Sequence, residues 1–263
     1  MHSDDLIIIY TPDTYVDLNK ISRSGMIIIS NIPATSNWEQ FNRCEYLSQH
    51  GKNNFWRYAC ERFYAIESIM KMFCIEKALH IEYDNLIYQK PDYNWLNSFC
   101  GDKIGITRIT DNLLSAGILY VGSRKSLNLL NSELNHAMTF SEEYLFGKFG
   151  PSMINEMYLL HVILNLNNDL IRLLPIFPED NTSNYVYDCA SWGQYVGGTH
   201  NNPNIPYTSD DHLIGREINK GIYDVKWISY DGFKCPIVVN NINATSKPLF
   251  NLHIHSKCLG EWK

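Results

Sequence analysis

Residues 78–88 read ALHIEYDNLIY, an apolar run broken by two acids two positions apart, Glu82 and Asp84, and then by Asn85. ALHI has the length and composition of a buried strand, which puts the acids at or just beyond its C-terminal end. Upstream, Phe55, Ala59, Phe63, Ile66, Met70 and Phe73 recur at steps of three and four. That period predicts a helix over Asn54 to Glu76 with one apolar face. A helix feeding a strand that ends in acids belongs to an α/β sheet protein, where ligands bind beyond the carboxyl ends of the strands.

The rest of the chain extends this reading. LIIIY (6–10), MIIIS (26–30), IGITRI (104–109) and AGILYVG (116–122) read as strands, and 126–135 and 155–166 as helices. The Pro/Asn/Gly-rich stretch 175–207 reads as loop with a short strand at 185–187. KWISYDGFKCPIVVNN (226–241) reads as a hairpin turning at Asp231-Gly232, and PLFNLHIHSK (248–257) as a last strand. The expectation is one α/β domain over residues 1–263, with a mostly parallel central sheet flanked by helices and a small antiparallel element.

Bulk properties remove several function classes. At 263 residues and 45% hydrophobic, the chain can bury a substantial core. A net charge of −6 without a Lys/Arg cluster argues against a nucleic-acid partner. No apolar run approaches the roughly 20 residues of a membrane helix. MHSDDLIIIY is acidic before its short apolar run, unlike a signal peptide. The seven cysteines are odd in number, scattered and never in CxxC spacing. They read as reduced thiols, neither a disulfide framework nor a zinc site. A soluble, cytoplasmic protein is expected.

Two constellations suggest a metal. The E-x-D of Glu82 and Asp84 offers hard oxygen ligands that suit Mn²⁺ or Mg²⁺, ions that take further ligands from substrate phosphates. The plain alternative is a solvated strand end. In NLHIHSK, His253 and His255 share a face with Lys257. Imidazole is a ligand for Mn²⁺-type metals and lysine a point charge for phosphate. The plain alternative is a pair of histidines hydrogen-bonded to backbone.

The order of segments resembles that of metal-dependent nucleotide-sugar glycosyltransferases of the GT-A fold, near the glycogenin-like and bacterial galactosyltransferase-like groups. ERFYAIESIMKMFCIEKALHIEYDNLIY is similar to their helix Arg, strand and D-x-D, with Glu in place of the first Asp. DNLLSAGILYVGS (111–123) is similar to the strand that lines the donor sugar, INEMYLL (154–160) to an acidic segment near the reaction centre, and FNLHIHSKCLGEW (250–262) to the closing His/Lys segment. The Gly-x-x-Lys-Pro-Trp ending of the glycogenin-like group is absent. DCASWGQYVGG (188–198) and NLHIHSK also resemble paired segments of a set of transferase-like proteins.

The resemblance implies a nucleoside-diphosphate sugar donor, a UDP-sugar first, a glycan or other hydroxyl acceptor, and Mn²⁺ or Mg²⁺ as cofactor. It implies Asp84 as the ligand of the metal on the diphosphate, with Glu82 assisting. His255, ahead of His253, is implied as the metal ligand from the last strand. Lys257 and Arg62 would contact diphosphate or sugar. Ala116 and Gly117 would let the sugar approach the backbone, and Asn85 would fix the turn or bind donor.

For the remaining site residues two readings stand side by side. Glu156 is a first-turn helix acid or a general base. Asp188 is a turn cap or a rival base. Gln194 with Gly197-Gly198 is a wall over the sugar or loop punctuation. Trp192 is a sugar-stacking ring or a core residue, and Arg62 a phosphate contact or a surface ion pair. Besides a hexosyltransferase, the chain reads as a non-catalytic nucleotide-sugar or glycan-binding module, or as a metal-dependent phosphoesterase.

Overall fold

A computed structural model describes residues 7–10, 26–29, 31–50, 54–230 and 233–255. Its elements run β1 (Ile7–Tyr10), β2 (Met26–Ile29), α1 (Ser36–Asn42), α2 (Phe55–Met72), β3 (Ala78–Ile81), β4 (Asn85–Ile87), α3 (Tyr93–Cys100), β5 (Ile104–Thr110), β6 (Leu113–Val121) and α4 (Arg124–Ala137). They continue with α5 (Glu142–Phe149), α6 (Glu156–Leu166), β7 (Ile171–Leu173), α7 (Ser191–Gly197), α8 (Leu213–Asn219), β8 (Tyr223–Tyr230), β9 (Phe233–Asn240), β10 (Ser246–Pro248) and β11 (Asn251–His253).

The α/β class expected from the sequence is what the chain forms, with a mixed sheet. A four-stranded sheet runs in the order β3-β6-β5-β7. The pairs β1–β2 and β5–β7 are parallel, whereas β3–β6 and β5–β6 are antiparallel. The direction of β6 follows from its two-residue link to β5: Thr110 pairs with Leu113 across Asp111-Asn112, and so short a link permits only a hairpin.

That hairpin carries an irregularity that positions the site. Ile106 pairs with Leu119, but Thr107 pairs with Ser115, so Ala116, Gly117 and Ile118 form a bulge relative to β5. A bulge bends its strand and re-aims the neighbouring side chains. The Gly117 carbonyl continues the β3 pairing by accepting from Glu82 N at 3.0 Å. Beyond Glu82 the chain leaves this sheet, turns, and enters β4, which pairs antiparallel with β11.

Helices cover one face of the sheet. In α4, Leu127, Leu130, Leu134 and Ala137 are fully buried and repeat at helical spacing, with the Ser123 hydroxyl accepting from Ser126 N as N-cap. They pack with α2, α6 and the inward residues Ile104, Ile106, Leu114 and Leu119. Burying such side chains contributes about 1.5–3 kcal/mol each. Ile118 and Tyr120 face the other way, toward Leu96 of α3, Tyr187 and Phe250. A third cluster joins α7, α8 and the β8–β9 hairpin through Trp192, Ile214, Tyr223, Val238 and Leu252.

Three sequence expectations need correction. The helix expected over 54–76, α2, ends at Met72, and Phe55 is 60% exposed. Its buried stripe is rotated onto Cys60, Phe63, Tyr64, Glu67 and Met70, because the Glu67 carboxylate accepts from Asn128 and Asn131 of α4. The stretch 175–207 contains α7, hidden in the sequence by two glycines within SWGQYVG. PLFNLHIHSK divides into β10 and β11, and His255 lies past the end of β11. The Asp231-Gly232 turn falls outside the described residues, although Tyr230 and Phe233 pair as that turn requires. Among the described residues no helix is long and apolar enough to cross a membrane, and Cys44, Cys60, Cys74, Cys100, Cys189 and Cys235 are all free.

Candidate metal centre

The turn from β3 to β4 presents Glu82 and Asp84, and β11 brings His253 to them through the pair His253–Asn85. His253 Nε2 lies 3.1 Å from Asp84 Oδ1 and 3.4 Å from Glu82 Oε2. Each residue offers one ligand atom, and all three atoms lie within 4.8 Å of one another. Two carboxylate oxygens and an imidazole nitrogen at this spacing can hold a divalent cation, with the remaining positions left to water or substrate oxygens. No other such group of His, Cys, Asp and Glu occurs among the described residues.

The backbone around the cluster is fixed from three sides. Asn85 Nδ2 donates to the Gly117 carbonyl at 3.2 Å, and its Oδ1 accepts from Asn251 Nδ2 at 2.7 Å. Asn85 therefore holds the turn, one of the two roles expected of it. Ile254 N donates to the Asp84 carbonyl at 2.8 Å. A Cβ added to Gly117 would lie 2.7 Å from His253 Nδ1 and 3.2 Å from Glu82 Oε2. The imidazole thus makes the close approach to Gly117 that the resemblance assigned to a sugar. Ala116 points away, into the helix-covered core.

Asp188 secures His253 from behind. Its carboxylate is 1% exposed and accepts from Trp192 N at 2.9 Å, Gly193 N at 2.8 Å and His253 N at 2.9 Å. Burial pushes this carboxyl up, and the three backbone N–H groups oppose that by favouring the charged form. Asp188 is a cap and clamp joining α7 to β11, the contacts its turn-cap reading describes. Gly193 is required at the same contact, since a Cβ there would lie 2.0 Å from the His253 carbonyl oxygen.

Arg62, reaching from α2, links the cluster to α6. Its guanidinium pairs with Glu82 Oε1, and its Nη2 lies 3.2 Å from Glu156 Oε1. Its side chain is only 17% exposed, so this is no surface ion pair. Burial lowers the Arg62 pKa and raises that of Glu156, each shift opposed by the partner's charge. Asp84 is pushed up by burial, yet the His253 hydrogen bond and charge outweigh this and hold its carboxyl below the ordinary range.

The other expected residues are placed as follows. His255 lies beside His253, ring centroids 4.7 Å apart and tilted at 43°, and is not in the ligand cluster; His253 takes the place the resemblance gave first to His255. The i, i+2 rule that would align the two histidines lapses where β11 ends. Gln194 lies buried on α7, its carbonyl accepting from Tyr207 N. Trp192 is fully buried and donates its indole N–H to the Ile176 carbonyl, which makes it core and no sugar platform. Lys257 lies outside the described residues. Sequence reading missed Tyr83, 75% exposed at the tip of the acidic turn, and Asn251, buried beneath it. An aromatic between two site acids was the available signal for Tyr83. Asn251 gave none, because its partners are far away in sequence.

Fold and site together define a mixed α/β protein with a carboxylate–imidazole cradle at the joint of two sheets. Its structure is similar to the crystal structure of mouse Xyloside xylosyltransferase 1 in its apo form, at 10% sequence identity and a TM-score of 0.46, over 71% of this chain and 75% of that one. No protein-family model matches the sequence, and no curated protein does.

Proposed function

We propose that the protein is a divalent-cation-dependent glycosyltransferase of a single domain, moving a sugar from a nucleoside diphosphate, best a UDP-sugar, to a hydroxyl acceptor. The observation that carries this reading is the Glu82–Asp84–His253 cluster, built at a strand end. The sequence resemblance, running in order from about residue 6 to 262, supplies the reaction class. A bound Mn²⁺ or Mg²⁺ supplies positive charge against the diphosphate that leaves the sugar.

The chain's own residues have distinct tasks. Glu82 Oε2, Asp84 Oδ1 and His253 Nε2 would hold the cation, while Arg62 keeps the second oxygen of Glu82 engaged. Lys257 would contact the diphosphate, and Gln194 would border the sugar. Glu156 would accept the acceptor's proton, since its Oε2 has no hydrogen-bond partner whereas both Asp188 oxygens are committed. One observation favours a second reading, a binding module without turnover: Glu156 is buried and tied to Arg62.

Thermal unfolding with UDP, GDP or CDP, each with Mn²⁺ or EDTA, tests the reading on wild type and Asp84→Asn. Ligand at 100 times its Kd adds about 2.7 kcal/mol. A midpoint shift for one nucleotide that needs Mn²⁺ and vanishes in Asp84→Asn is the expected result. No shift with any nucleotide sinks the donor site. Release of free nucleoside diphosphate from the matching nucleotide sugar then separates enzyme from module.

A further inference from the structure

A second concavity lies at the far end of the β5–β6 hairpin, with a volume of about 740 Å³. This is within the size range of small-molecule sites. It is lined by the hairpin tip at Asp111-Asn112, by Phe149 and Pro151, and by Asp211 and Arg216. We propose that this cleft binds a neutral saccharide, and that it is the acceptor site of the transfer proposed above, on which the acceptor role rests.

The charge of the lining selects against the donor's chemistry. Asp111, Asp210 and Asp211 border the cleft with one cation, Arg216, which already lies 3.2 Å from Asp111 Oδ2. An anionic phosphate or carboxylate ligand would meet net negative charge. A metal ion is disfavoured too, because these acids do not bring oxygens together as a ligand group. A neutral polyol fits: carboxylates accept hydroxyl protons, and Phe149 and Pro151 offer apolar surface to ring C–H groups.

His161 gives independent support. It borders the cleft, is 8% exposed, and its Nδ1 has no hydrogen-bond partner. Asn165 Nδ2 lies 3.2 Å from His161 Nε2 and can only donate, so Nε2 accepts and the proton of the neutral ring sits on Nδ1. Burial lowers the pKa of this ring, and the Phe149 carbonyl beside it opposes that shift. A buried donor left without an acceptor is costly, and a ligand hydroxyl oxygen would satisfy it.

Position connects the cleft to the cradle. Leu113 at the cleft and Gly117 under His253 are four residues apart on β6, and His161 and Glu156 five apart on α6. These separations correspond to about 13 Å and about 7.5 Å. The cleft thus shares β6 and α6 with the cradle and Glu156.

The test is saturation-transfer NMR with a panel of neutral hexose and pentose trisaccharides, in EDTA and without nucleotide. Binding by at least one member is expected, weakened about tenfold in Asp211→Asn, the loss of one charge-assisted hydrogen bond. Phe149→Ala is expected to weaken it as well, with Asp169→Asn, remote from the cleft, unchanged. Binding by none, or binding indifferent to both cleft variants, overturns the proposal. Asp84→Asn separates the two readings. If it abolishes nucleotide binding but not saccharide binding, cradle and cleft both stand. Saccharide binding without any nucleotide binding leaves a saccharide cleft and removes the acceptor role.

Discussion

Gly193→Ala is the most direct test of how the cradle is held. Gly193 lies in α7 against β11, and a Cβ would come 2.0 Å from the His253 carbonyl oxygen, 2.6 Å from its carbonyl carbon and 2.9 Å from Asp188 Oδ2. All three atoms are fixed, two by strand pairing with β4 and one by capping α7. Relief requires α7 and β11 to part by roughly 1.5 Å to restore ordinary contact distances. That parting stretches the bonds that Asp188 Oδ2 accepts from Gly193 N and His253 N, at 2.8 and 2.9 Å. Charge-assisted hydrogen bonds contribute about 1.5–3 kcal/mol each. Alanine returns about 1 kcal/mol in helix propensity. A net loss of about 2–5 kcal/mol follows, a large part of the 5–15 kcal/mol typical of a folded domain. Urea unfolding reads it as a lowered midpoint at unchanged slope. Gly147→Ala in α5 is the control, since a Cβ there meets nothing within 4 Å, and it should be neutral or slightly stabilising. A Gly193→Ala midpoint within 0.2 M urea of wild type, about 0.5 kcal/mol, would refute the α7–β11 contact.

Three further outcomes are expected. Gly117→Ala crowds only side-chain atoms of His253 and Glu82, so stability should fall by about 1–3 kcal/mol. Mn²⁺ affinity, read by spin-resonance titration, should fall tenfold or more, as when a group that orients a ligand is lost. Arg62→Met leaves the Glu82 and Glu156 carboxylates uncompensated, costing about 3–5 kcal/mol at pH 7, and Mn²⁺ should raise its melting point more than that of wild type. An equal rise in both proteins would show that Arg62 does not balance the cradle's charge. The Asp84 carboxyl, held below its ordinary 3.8, stabilises the fold above that value and loses the contribution as pH falls through its folded pKa. The stability difference between wild type and Asp84→Asn should therefore shrink as pH falls below 4.

The local pieces of this protein were legible from sequence where period and length agree. β3 is found over the residues that ALHI occupies, and α6 begins one residue after its expected start, with Asn155 as N-cap. The acids were legible because charge at an apolar strand end stands out. What escaped depends on contacts distant along the chain. Nothing in LHIH says that β11 ends at His253, so which histidine joins the acids could not be read. DCASWGQYVGG and NLHIHSK were recognisable as segments, but only packing reveals that Asp188 of one clamps His253 of the other. The β6 bulge escaped for the same reason, since AGILYVG reads as an uninterrupted strand and its irregularity exists only relative to β5.

The passage of the chain from one sheet to another at Glu82–Asp84 has a consequence for how the protein folds. Asn85 and Asn251, whose side chains bridge the two strands below the cradle, are 166 positions apart. Closing a loop of that length costs roughly 4–5 kcal/mol in chain entropy before any pairing energy returns. Contacts of such long range form late in folding. The acids are on the ribosome's product from residue 84 onward, yet their third ligand arrives only with residue 253. Cation binding by this cluster would thus require the finished tertiary structure, and a bound-Mn²⁺ signal followed during refolding would report the docking of β11 on β4.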